Sequence, residues 1–106
     1  MVVIHRTAIV FKVKNLQELS IIASALQREK KLLESEIQKS EATLEAFEKK
    51  YAMPTVQFIE KYSKGELGDE EDIMTWAGEC QFLKNFKDKQ KKLEDLIEEC
   101  KKHMKS

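Results

Sequence analysis

Few residues in this sequence have the types and spacing of a chemical site, and the acidic run from Asp69 to Asp72 is the most conspicuous of them. A calcium-binding loop alternates its oxygen ligands and carries a glycine at a fixed place, and this run does neither. Four acidic residues after Gly68 instead suit the first turn of a helix, where they meet free amides and the positive end of the dipole. We therefore predict a helix start at Asp69 and no cation site.

The histidines and cysteines form no ligand set. His5 and His103 have no partner at metal-ligand spacing. Cys80 and Cys100 fall in one expected helix, about 30 Å apart and too far for a disulfide. Cys80 has no neighbouring histidine, which favours a packed thiol over a nucleophile. The sequence predicts no metal, no cofactor and no catalytic residue, and hence a protein that is not an enzyme.

Charge gives no strong nucleic-acid signature. The formal net charge of zero is distributed as +3 over residues 1–15, −1 over 16–52, −5 over 53–79 and +3 over 80–106. A cluster of lysines surrounds Phe86 in sequence and could contact phosphate. Its members are distributed around a helix, however, so we favour a solvated helix face over a phosphate-binding site. The cluster comprises Lys84, Lys87, Lys89, Lys91 and Lys92.

Length and composition predict a single domain over residues 1–106, built from long helices with solvated outer faces. The chain is 36% charged and 42% hydrophobic. Lysine and glutamate dominate its charged residues, as in coiled coils and in proteins of hyperthermophiles. The sequence contains no signal peptide and no apolar run long enough for a membrane span, so we expect a cytoplasmic protein.

Residues 2–13 are rich in β-branched side chains and predict a strand. Val3, Ile9, Phe11 and Val13 share one alternating face. Because no second strand follows, the pairing partner would be another chain. A helical N-terminal extension is the alternative.

The first long helix is predicted over residues 16–51. Asn15 and Glu18 resemble a capping box. Apolar residues then recur at alternating steps of three and four, the pattern of a coiled-coil seam. The seam positions are Leu16, Leu19, Ala23, Leu26, Lys30, Leu33, Ile37, Ser40, Leu44, Phe47 and Tyr51.

A bend follows this helix. Pro54 ends it and opens a short helix over 54–64 with Phe58, Ile59 and Tyr62 on one side. Gly65 is expected to stop the short helix at positive φ. The second long helix is predicted over 69–104, with seam positions Ile73, Trp76, Cys80, Leu83, Phe86, Gln90, Leu93, Ile97, Cys100 and Met104.

These elements predict an all-α fold: a long antiparallel helical hairpin, or coiled coil, with a short helix at the bend and an N-terminal β-strand. The residue numbers of two facing positions, one on each long helix, should sum to about 123. This register pairs Phe47 with Trp76. The same register pairs Leu44 with Cys80, Ile37 with Phe86 and Leu26 with Ile97. Polar Lys30, Ser40 and Gln90 would fix that register at some loss of stability.

A second apolar stripe lies outside the seam, and a two-helix hairpin cannot bury it. It comprises Ile21, Ala25 and Leu32 beside Ile22 on the first helix, and Phe82 and Leu96 on the second. We expect Ile21, Ala25, Leu32 and Leu96, with the predicted strand, to bind a protein partner or a second copy in a homodimer.

One motif at the bend resembles a known family. Phe58, Tyr62, the run Gly65-Glu66-Leu67-Gly68-Asp69, Asp72 and Trp76 resemble a pattern in short helical antitoxin-like proteins of archaea and bacteria. The resemblance covers about 20 residues and implies a protein that binds and neutralises a small toxin. From the residues alone, the aromatic members would form the core of the bend or an exposed recognition site.

Two other functions remain open. A DNA-binding regulator would pair two N-terminal strands as a ribbon and present His5, Arg6, Thr7, Lys12 and Lys14 to a groove. A chaperone-like coiled coil similar to a prefoldin subunit would hold clients between its arms, although such a subunit carries strands at the bend.

Overall fold

A computed structural model describes residues 15–105 and contains three helices within them. They are α1 (Leu16–Tyr51), α2 (Thr55–Ser63) and α3 (Glu71–Lys105). The all-α prediction is confirmed for this part of the chain, and the two long helices pack against each other. The strand predicted over residues 2–13, with Val3, Ile9, Phe11 and Val13, lies outside the described residues.

Helix α1 begins and ends where the heptad pattern predicted. At its start, the backbone amide of Glu18 donates to the Asn15 side chain at 2.9 Å, as the capping prediction required. Its end depends on Ala52, which adopts φ +50, while the Met53 amide donates to the Glu48 carbonyl at 3.1 Å. This left-handed residue, rather than Pro54 alone, closes the helix.

Helix α2 lies between a proline and a glycine. Pro54 is its N-cap and not a residue of its first turn, with extended ψ of 147. At the other end Gly65 has φ +74, and its amide donates to Tyr62 while that of Glu66 donates to Lys61. Those two bonds are the Schellman pattern, so the predicted glycine stop is confirmed.

Helix α3 begins at Glu71, two residues after the predicted start at Asp69. Gly68 has φ +54, and the Met74 amide donates to the Glu70 carbonyl at 3.0 Å, which makes Glu70 the capping position. The acidic run therefore straddles the helix start. Glu71 and Asp72 occupy the first turn as predicted, whereas Asp69 precedes it.

The chain divides into two compact units, each containing one segment of α1 and one of α3. We call residues 35–87 the bend unit, because it contains all of α2. The terminal unit consists, among the described residues, of 15–34 and 88–105.

The bend unit has an aromatic core, in which α1 and α3 run antiparallel. Phe47 stacks on Trp76 with ring centroids 5.4 Å apart, which confirms this pair of the predicted register. Buried Ser40 donates to the Glu79 carboxylate at 2.7 Å, so this polar seam position has a partner on α3. The core comprises Leu44, Phe58 and Trp76, surrounded by Phe47, Met53, Leu67, Ile73, Ala77, Cys80 and Leu83.

The terminal unit has an aliphatic core without aromatic rings. Its buried residues are all predicted seam positions, namely Leu19, Leu33, Leu93, Ile97 and Cys100. Exposed ion pairs link the two helices, with Lys89 at 2.9 Å from Glu29 and Lys30 at 4.0 Å from Glu94. Such pairs contribute little to stability because water screens them, so the apolar seam holds this unit together.

Candidate functional site

Large apolar side chains of α1 remain exposed in the terminal unit, and they belong to the predicted second stripe. Ile21 is 62% exposed and Leu32 is 65% exposed. Ala25, between them in sequence, is also exposed, and Leu96 of α3 is half-buried. We call the α1 set of Ile21, Ala25 and Leu32 the α1 stripe.

The α1 stripe occupies its own side of the helix. Ile21, Ala25 and Leu32 follow i, i+4 and i+11 spacing, which places them within about 40° of one another at about 100° per residue. The buried seam residues Leu33 and Leu19 lie about 100° and about 140° around the helix from the stripe's centre. Helix α1 therefore has two apolar sides in this unit, and its buried residues, Leu19 and Leu33, both lie on the seam side.

The aromatic residues of the motif form the core of the bend. Phe58 is 0% exposed and Trp76 is 1% exposed. Their rings stack with centroids 4.0 Å apart and an interplanar angle of 7°. Tyr62 stacks on Phe58 at 5.7 Å and is partly exposed. Of the two interpretations of these aromatics, the structure supports a core, with Tyr62 at its edge.

The other motif residues shape the connection between α2 and α3. Leu67 packs against the aromatic core. Gly65 and Gly68 both adopt positive φ, and a Cβ built on either would contact nothing within 4 Å. Asp69 is exposed. The glycines are therefore required for their backbone conformation and not for close packing.

Glu48 is part of the bend, although nothing in its spacing singled it out. Its carboxylate accepts a hydrogen bond from the backbone amide of Thr55 at 2.7 Å and so satisfies a free amide at the start of α2. That amide, followed by the Thr55 hydroxyl, lowers the pKa of Glu48. Trp76 donates from Nε1 to the Thr55 hydroxyl at 3.2 Å. One threonine thus links α1 and α3 at the start of α2.

Asp72 connects the first turn of α3 to the last turn of α1. Lys50 Nζ lies 2.6 Å from its Oδ2, and the Tyr51 hydroxyl donates to the same oxygen. Lys50 first, and then Tyr51, lowers the pKa of Asp72, while the bond to Asp72 raises the pKa of Tyr51. The acidic residue thus acts as a cross-link as well as a helix-start residue. Its role depends on the neighbouring helix and could not be predicted from the acidic run.

The bend unit carries two open grooves of similar size, each about 390 Å³. One has a mixed lining of charged and aromatic residues, which includes Glu36, Lys39, Glu79 and the exposed Phe82. The other, which we call the Val56 groove, is apolar with lysines at its edge. Its lining residues are Leu44, Thr55, Val56, Ile59, Cys80, Leu83, Lys84 and Lys87. Sequence periodicity had not marked Val56 as a candidate for binding.

Neither cysteine has the surroundings of a reactive group. Both are free thiols, Cys100 is buried and Cys80 is half-buried, and burial raises the pKa of each. Among residues 15–105 no group of three histidine, cysteine or acidic side chains could hold a metal ion. Within the same range no helix is long and apolar enough to cross a membrane.

Over residues 15–105 the fold is all-α, with two long helices that pack together and an aromatic core at the bend. No protein-family model matches the chain, and comparisons with curated proteins and with solved structures found no match.

Proposed function

We propose that this protein is a protein-binding module whose α1 stripe contacts its partner. The observation that supports this is the exposure of Ile21 and Leu32 on a side of α1 that is separate from the packed seam. Each large aliphatic side chain that a partner fully covers stabilises a complex by about 1.5–3 kcal/mol of transfer free energy, before the costs of association.

The partner class follows from the resemblance of the bend motif to antitoxin-like proteins. A small toxin is the partner it implies, and neutralisation would occur by direct binding. The motif residues themselves build the bend, so binding would use the α1 stripe and the half-buried Leu96 of the same unit. Val3, Ile9, Phe11 and Val13 would extend this surface if residues 2–13 pair with the partner.

Co-expression with the product of the neighbouring gene tests the toxin proposal. That product should arrest growth when expressed alone, growth should recover with this chain, and the two proteins should co-purify. A neighbour that is harmless alone, or that does not co-purify, would refute the toxin as partner.

Paired variants test the surface. Ile21→Ser with Leu32→Ser should abolish co-purification and growth recovery while leaving the helical circular-dichroism signal unchanged. Met74→Ser is the matched control, since Met74 is an exposed apolar residue of the bend unit, 52% exposed, and outside the stripe. If the double variant still binds, the α1 stripe is not the partner surface.

Light scattering separates a foreign partner from self-association. If the purified chain is a dimer that the double variant converts to a monomer, the stripe binds a second copy and the toxin proposal fails at this surface.

A further inference from the structure

The Val56 groove has the character of a second binding surface, in a different unit from the α1 stripe. Val56 is 84% exposed, and Ile59, three residues later on the same side of α2, is 40% exposed. Apolar side chains at this spacing on a short helix are ordinarily packed against a neighbour. Here they border an open groove whose floor is Leu44, Cys80 and Leu83.

The charge at the edge of the groove has one sign. Its charged lining residues are Lys84 and Lys87, with no acidic residue among the described lining. Lys87 lies 3.5 Å from Glu41, whereas Lys84 forms no ion pair within residues 15–105. The mixed groove of similar volume is lined by two glutamates and one lysine, so an edge with positive charge alone is not a general property of this unit.

We propose that the Val56 groove binds an amphipathic helical segment of another protein, which inserts aliphatic side chains between α2 and α3 and carries acidic residues facing Lys84 and Lys87. A groove between helices that has an apolar floor suits a helix with anchors at i, i+3, i+4 and i+7. The volume is within the range of binding pockets and admits a few side chains, not a folded domain. The unpaired Lys84 supplies the charge complementarity that selects an acidic partner.

Cys80 gives this proposal a direct readout, because it lies in the groove while Cys100 is buried in the terminal unit. The probes are two synthetic helical peptides with leucine at i, i+3, i+4 and i+7. One carries glutamate at its flanking positions and the other carries lysine. Anisotropy of a labelled peptide measures binding to the full chain, and Ellman's reagent measures thiol accessibility at mildly alkaline pH.

The glutamate peptide should bind at least about tenfold more tightly than the lysine peptide, because lysines of the peptide would be repelled by Lys84 and Lys87. It should also slow modification of Cys80 and leave Cys100 unaffected. Lys84→Glu should reverse the preference between the peptides. Val56→Asp should abolish binding, and the exposure of Val56 makes it a substitution that the fold tolerates.

Several outcomes would overturn the proposal. They are equal binding of both peptides, no binding of the glutamate peptide, or binding without protection of Cys80. Loss of binding in Leu32→Ser with retention in Val56→Asp would place the peptide on the α1 stripe instead. A dimer that dissociates in Val56→Asp would show that the groove binds a second copy, which also contradicts an acidic foreign segment.

Discussion

The bend unit closes on stacked aromatic rings, whereas the terminal unit contains no phenylalanine, tyrosine or tryptophan among residues 15–34 and 88–105. In the bend unit α2 covers the two long helices and fully buries Phe58 and Trp76. The terminal unit has two helical segments and no third element among its described residues. The middle of its aliphatic seam is buried, but Ile21 and Leu32 are exposed. The predicted seam positions Leu16 and Met104, at the ends of the two long helices, are exposed as well.

This difference shows how the number of packed elements decides which apolar residues remain available for binding. Two helices can bury one side of each, and an apolar residue on any other side stays in water. The bend unit has a third helix, and the large apolar residues that stay exposed there include Val56 and Ile59 of α2 and Met74 and Phe82 of α3. Stability is therefore expected to concentrate in the aromatic core, and recognition at the sides that no element covers.

The largest expected change in stability comes from removing one buried side chain from each unit in turn. Trp76→Ala should lower the free energy of unfolding by about 3–5 kcal/mol, because it removes three ring contacts and leaves a cavity. Leu33→Ala, in the terminal unit, should cost less, at about 2–3 kcal/mol. Urea unfolding followed by circular dichroism measures both. If Leu33→Ala costs as much as Trp76→Ala, stability is not concentrated in the bend unit.

The single tryptophan allows the stability of the two units to be compared in the unsubstituted protein. Trp76 fluorescence reports the bend unit, and circular dichroism reports all helices. If the units differ in stability, the helical signal should begin to fall at lower urea than the tryptophan signal changes. Coincident transitions would show that the units unfold as one.

Much of this fold follows from periodicity, since seam residues such as Leu19 and Leu33 bury themselves wherever two long amphipathic helices pack. The register also follows, because equal helix lengths on either side of one bend bring Phe47 to Trp76. The Gly65 stop is a local signal that depends on few neighbours.

What could not be predicted depends on where α2 lies. Glu48 caps the start of α2 across seven residues of sequence, and Asp72 meets Lys50 only after the chain has turned back. The Val56 groove likewise exists only once α2 packs near α3. The α1 stripe was visible in sequence as apolar residues off the seam, but its partner is not a property of this chain alone.

A matched pair of glycine substitutions separates backbone conformation from packing. Gly65→Ala should destabilise the protein by about 1 kcal/mol because alanine is strained at φ +74. Gly78→Ala should stabilise it by about 0.5–1 kcal/mol, since Gly78 lies within α3. A Cβ at either position would contact nothing within 4 Å, so the two variants differ in backbone alone. Thermal unfolding measures both, and equal signs would contradict this explanation.

Ala52 provides the reverse experiment at the end of α1. Ala52→Gly should raise the free energy of unfolding by about 0.5 kcal/mol, because glycine adopts φ +50 without strain but loses more chain entropy. The control is Ala42→Gly within α1, which should destabilise by about 1 kcal/mol. Chemical denaturation compares them. Destabilisation by Ala52→Gly would show that the left-handed conformation is not a source of strain.

The smallest effect is the pH dependence that the bend cross-links confer. Glu48 and Asp72 have pKa values below their ordinary 4.5 and 3.8, because donors from Thr55, and from Lys50 and Tyr51, stabilise the carboxylates. Folding then favours the ionised form, so this stability is present above the ordinary pKa values and is lost as pH falls through the lower, folded ones. Tyr51 and Lys50 have pKa values above their ordinary 10.0 and 10.5, so their contribution is lost as pH rises through the raised values.

Asp72→Asn should therefore weaken the pH dependence of stability in both the acidic and the alkaline range, because the Asp72 carboxylate titrates in acid and bonds Lys50 and Tyr51, which titrate in alkali. Asp69→Asn is the control, since Asp69 is exposed, precedes α3 and forms no ion pair with residues 15–105. Melting temperatures of the three proteins from pH 3 to pH 11, followed through Trp76, measure the effect. If Asp72→Asn and Asp69→Asn change the dependence of melting temperature on pH equally, a general loss of negative charge explains the change. The bonds of Asp72 to α1 then make no specific contribution to it.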